Sequence, residues 1–77
     1  MARDPAEFEG VQQELVLEVL RKHGVDVFET EGTVYLSKDD IHKAFVLPRR
    51  VHRRMLHQLS RTFNIPIHLL FRPDLLN

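Results

Sequence analysis

Val25-Asp26-Val27-Phe28-Glu29-Thr30-Glu31-Gly32-Thr33-Val34-Tyr35-Leu36-Ser37 is the stretch that decides the fold class. β-Branched and aromatic residues crowd both sides of Glu31-Gly32, a dipeptide suited to a two-residue hairpin turn. With Glu31 and Gly32 as the loop, Val27 faces Leu36, Phe28 faces Tyr35 and Glu29 faces Val34. One face of the hairpin then carries an aromatic pair and the other an aliphatic one. A lone two-stranded hairpin is marginal in water. It must therefore pack on helices or extend its sheet with a second copy of the chain.

Both flanks supply helical patterns. Upstream, Asp4-Pro5-Ala6-Glu7 combines an N-cap, a proline at the first helical position and an acid three residues after the cap, so a helix is expected from Pro5 to about His23. Phe8, Val11, Leu15, Val16, Val19 and Leu20 fall on its core-facing stripe, and Leu17 falls on the polar back. Lys22 and His23 suit the helix dipole in the last turn, and Gly24 suits a left-handed cap. Downstream, Ser37-Lys38-Asp39-Asp40 reads as a second helix start, followed by Ile41, Ala44 and Phe45 at helical spacing. Pro48 should end that short helix and open a third, from about Arg49 to Phe63. Its apolar stripe is Val51, Met55, Leu56, Leu59 and Phe63, with Asn64 as the stop. A last turn from Pro66 to about Phe71 returns Ile67, Leu70 and Phe71 to the core.

The expectation is an α+β fold in the order α-β-β-α-α with a short C-terminal helix, the hairpin packed on the helices. The 77 residues leave room for one hydrophobic core, hence a single domain 1–77 with 1–4 and 73–77 prone to fray. A chain this small gains only a few kcal/mol from its core, which makes self-association an attractive source of further stability. An apolar fraction of 43% beside 29% charged residues is that of a globular protein. There are no cysteines, so disulfides and thiolate chemistry are excluded and a reducing compartment, the cytoplasm, is the expected location. No apolar run has the length of a membrane span, and the N-terminus lacks the apolar core of a signal peptide.

Net charge is zero overall but unevenly placed. Residues 1–37 hold three basic against eight acidic side chains, a net of −5, whereas residues 38–77 hold eight against three, a net of +5. From Ile41 to Pro73 there is no Asp or Glu. Arg49, Arg50, Arg53, Arg54, His57 and Arg61 project onto one arc of the expected helix 49–63. The arrangement opposes helix formation, because Arg49/Arg53 and Arg50/Arg54 are like-charge i, i+4 pairs and arginine near a helix N-terminus opposes the dipole. Solubility alone does not require it. Guanidinium groups grip carboxylates or phosphates in a forked geometry, so the face points to an anionic partner. A solvated face, or pairing with Glu14, Glu18, Glu29 and Glu31 of the same or another copy, is the plainer reading of the same residues.

Catalysis has no comparable support. His23, His42, His52, His57 and His68 form no i, i+4 ligand pair, and neither HExxH nor a carboxylate cluster accompanies them. Ser37 and Ser60 are the only serines, Asp39 and Asp40 are adjacent, and the three glycines are far apart, so neither a Ser-His-Asp site nor a phosphate loop is indicated. Leu59-Ser60-Arg61-Thr62-Phe63-Asn64-Ile65-Pro66-Ile67-His68-Leu69-Leu70 resembles the closing helices of Cro/repressor-type DNA-binding domains. The hairpin departs from that all-helical family, whose fold and DNA contacts are therefore not carried over. The expected function is a non-catalytic binding or regulatory module, without cofactor or metal. Its Arg-rich face meets an acidic protein surface, and it self-associates as a homodimer. The alternative is a DNA- or RNA-binding regulator that sets the same face on phosphates.

Overall fold

The computed structural model describes residues 9–72. In chain order the elements are β1 (Val11–Gln12), α1 (Gln13–Lys22), β2 (Asp26–Thr30), β3 (Thr33–Lys38), β4 (Ile41–Phe45), β5 (Arg50–Val51), α2 (Arg53–Phe63) and α3 (Ile67–Phe71). The chain is an α+β fold in which the sheet packs on helices. The helix expected from Pro5 to about His23 does not run through residues 9–12: Glu9 and Gly10 have no regular structure, Val11–Gln12 form β1 and the helix begins at Gln13. The Asp4-Pro5 cap, the place of Phe8 and the fraying of 1–4 and 73–77 lie outside the described residues.

The hairpin forms in the expected register. Val27 pairs with Leu36, Phe28 with Tyr35 and Glu29 with Val34, around a turn in which Glu31 and Gly32 have φ of 51° and 81°. Two consecutive positive φ values make the turn whose twist matches that of paired strands, and Gly32 supplies one of them without steric penalty.

The second helix expected after Ser37 is instead the strand β4. It pairs antiparallel with β3 from Val34↔Phe45 to Lys38↔Ile41, completing a sheet in the order β2-β3-β4. The reason lies in Asp39-Asp40. Both have positive φ, 48° and 69°, so they build a second two-residue turn in place of a helix N-terminus. Aspartate tolerates this left-handed backbone better than most residues do.

The Arg-rich helix starts four residues later than its spacing suggested. Arg49 is outside regular structure, and Arg50–Val51 form β5, which pairs antiparallel with β1 through Val11↔Val51 and Gln12↔Arg50. Gln13 completes the strap: its backbone N–H donates to the Arg49 carbonyl and its Nε2 to the Leu47 carbonyl, both at 2.8 Å. These bonds satisfy backbone acceptors in the segment around Pro48, and the extended path removes the like-charge helical pairs of Arg49 and Arg50.

The core is built from Val16, Val19 and Leu20 of α1, Val34 and Leu36 of β3, Val51 of β5, Leu56, Leu59 and Phe63 of α2, Ile65, and Leu70 of α3. Leu17 is buried, at 8% exposure, and Leu15 is exposed, at 43%, the reverse of the expectation. Val11 is the cause. Counted as helical it rotates the apolar stripe toward Leu15, but it belongs to β1, and the true stripe centres on Leu20. The C-terminus of α1 closes as expected around Gly24, with Gly24 N–H bonded to the Arg21 carbonyl and Val25 N–H to the Leu20 carbonyl, both at 3.0 Å. α2 stops at Asn64, φ 54°, and the Ser60 hydroxyl donates to the Ile65 carbonyl at 2.6 Å. Phe45 at the end of β4 meets Phe63 of α2, ring centroids 6.4 Å apart, tying the sheet to the helices.

Candidate binding face

Burying Leu56, Leu59 and Phe63 turns the opposite side of α2 outward. That side carries Arg53, Arg54, His57, Gln58 and Arg61, all exposed. Arg54 and Arg61 lie seven residues apart on it, two turns or about 10 Å along the axis. Four of the six expected residues, Arg53, Arg54, His57 and Arg61, therefore share one helical face. At its N-terminus the N-cap His52 makes no side-chain capping bond and the first turn contains no acid. His57 also leans on α3, its ring edge-on to Phe71 with centroids 5.8 Å apart.

Arg49 and Arg50 are placed differently. They line a shallow cleft of about 510 Å³ with Gln12, Gln13 and Glu14 at the strap between β1 and β5. The expected single arc is thus two adjoining basic regions, and one carboxylate, Glu14, joins the second. Sequence reading gave no role to Gln12 and Gln13, which hold that segment. As two polar residues ahead of an apolar stripe, they look like ordinary solvent-facing helix positions.

The other histidines are scattered. His23 Nδ1 donates to the Val19 carbonyl at 2.9 Å, His42 lies on the sheet, and His52 and His68 are exposed. His52 sits at the N-cap position of α2. Among the described residues, no group of three or more His, Cys, Asp or Glu is placed to hold a metal ion, and no helix is long and apolar enough to cross a membrane.

The chain matches no family model, no curated protein and no solved structure. Phe28 and Tyr35, paired across β2 and β3, are 60% and 46% exposed. With Leu36 and Ser37 of β3 and His42, Lys43 and Ala44 of β4 they line a cleft of about 320 Å³ on the open side of the sheet. The aromatic pair was legible in the hairpin register, but its extension by Ala44 and His42 depended on recognising β4.

Proposed function

We propose that the protein is a non-catalytic binding module that uses the outer face of α2 to contact an acidic protein surface, and that it self-associates. One observation carries this reading: Arg53, Arg54, His57 and Arg61 stand together on a single exposed helical face, within a segment, residues 46–72, that has no acidic side chain. Arginine offers planar forks that bind carboxylates in pairs of hydrogen bonds and stack on aromatic rings. The face is convex and helical, suited to a complementary surface rather than to enclosing a small molecule. A reducing location is in keeping with the absence of cysteine.

A second reading rests on the two adjoining basic regions. Arg49 and Arg50 lead directly into α2, so cations follow one another along the chain as phosphates do along a nucleic-acid backbone. Fluorescence anisotropy against labelled poly-glutamate, random duplex DNA and structured RNA, at low and moderate salt, separates the two. The expected result is poly-glutamate binding that falls roughly tenfold or more in Arg54→Glu/Arg61→Glu. Failure to bind poly-glutamate would overturn the protein-surface reading. Steep, salt-dependent binding to DNA or RNA would put the phosphate reading in its place.

A further inference from the structure

We infer that the open face of the β2-β3-β4 sheet is the docking surface for α2 of a second copy of this chain. The inference deepens the proposed function, on which it rests, by naming the acidic surface. The sheet face presents what guanidinium groups bind. Phe28 and Tyr35 offer two exposed aromatic faces side by side across the strands. Asp26, two residues from Phe28 on β2 and therefore on the same face, adds an exposed carboxylate. Asp26 pairs with Ser37 and Ser37 with His42, so the end of the sheet beside the aromatic pair is polar. Asp39 and Asp40, exposed in the turn, close that end. Arginine over an aromatic ring with a carboxylate beside it combines cation–π attraction with a charge-assisted hydrogen bond.

Charge selects this occupant over others. Asp26 on the face and Asp39 and Asp40 in the turn at its end give the docking surface three acids against Lys43 at the cleft, while Glu29 falls on the opposite side of the sheet and Glu31 in the far turn; residues 46–72 carry six arginines and no acid. A nucleic acid, for which exposed aromatics on a sheet can serve as a stacking platform, would meet those carboxylates. An acidic partner would be repelled as well. Two sheets placed face to face would bring like charges together, whereas the α2 face is complementary. The contact joins different surfaces of the two copies, so each copy retains one unused half unless the pairing is reciprocal.

The test exploits that asymmetry. Arg54→Glu/Arg61→Glu removes the helical half and keeps the sheet, while Asp26→Lys/Phe28→Ala removes the sheet half and keeps the helix. All four positions are exposed, and Tyr35→Ala serves as a second sheet variant. By light scattering at low salt the wild type is expected to associate, each variant alone to remain at monomer mass, and an equimolar mixture of the two double variants to form a one-to-one pair of twice that mass. A wild type that stays monomeric, a mixture that stays monomeric, or sheet variants that associate as the wild type does would each overturn the inference. The parent reading is scored separately by poly-glutamate. If Asp26→Lys/Phe28→Ala binds it as the wild type does while the mixture remains monomeric, only the sheet assignment fails. If the wild type does not bind it, the arginine face itself has been misjudged.

Discussion

Gly10 has φ of 96°, and a Cβ added there would lie 3.1 Å from the Val51 carbonyl oxygen and 3.3 Å from His52 Nδ1. The residue therefore does two things: it turns the chain into β1 and lets that strand approach the backbone that leads into α2. Gly32, φ 81°, has nothing within 4 Å of the same position. Left-handed backbone costs an L-residue about 1–2 kcal/mol, partly offset by the entropy that alanine removes from the unfolded chain. Gly32→Ala should accordingly lose about 1 kcal/mol, and Gly10→Ala about 2 kcal/mol or more because backbone atoms must also shift. Urea denaturation of both variants measures the difference. Equal losses would mean that the β1–β5 strap is not closely packed. Gln13 acts at the same place through hydrogen bonds, anchoring Leu47 and Arg49 and thereby setting where Arg50 emerges.

Among the elements, β4 shows how one local signal can carry two structures. Ser37-Lys38-Asp39-Asp40 suits a helix N-cap with following acids, and it equally suits a tight turn, because aspartate is favoured in both. Ile41 and Phe45 share a strand face but the charged Lys43 stands between them, while Ile41, Ala44 and Phe45 keep helical spacing, so neither period wins over five residues. Pairing with β3 decides the matter through ladder hydrogen bonds that local sequence does not announce. The hairpin was legible because Glu31-Gly32 fixes its register, α3 because Pro66 and Arg72-Pro73 bracket it, and the exposed face of α2 because the helical period fixes it from Arg53 onward. The strap was not legible, since it pairs residues 11–12 with 50–51 across about half of the chain. The Asp39-Asp40 turn leads to a quantitative expectation. Asp40 has φ of 69°, so Asp40→Gly should relieve its left-handed strain. Glycine gives back some of that gain in unfolded-state entropy, leaving a net stabilisation of about 0.5 kcal/mol. Thermal denaturation followed by circular dichroism checks the sign. A loss of stability would point to a hydrogen bond of the Asp40 side chain that outweighs the strain.

At the scale of the whole molecule, charge segregation acts in two opposed directions, and salt separates them. Within one copy the six arginines of residues 46–72 repel one another, and Arg53 and Arg54 also oppose the dipole of the helix they begin. This works against folding by an amount on the order of 1 kcal/mol at low ionic strength. In the proposed pairing between copies the same arginines would instead be drawn to the acidic end of the sheet. Salt screens both effects, since the Debye length shrinks from about 30 Å at 0.01 M to about 8 Å at 0.15 M. The thermal midpoint of the monomer, held monomeric by Asp26→Lys/Phe28→Ala, is thus expected to rise by about 4 °C over that range, taking the usual conversion of about 4–8 °C per kcal/mol for a domain of this size. Association of the wild type should weaken over the same range. Calorimetry on the variant and light scattering on the wild type, in matched salt series, test the pair of slopes. A monomer midpoint that falls with salt would mean that the arginines are neutralised within their own copy, leaving too little free charge on α2 to recruit an acidic surface.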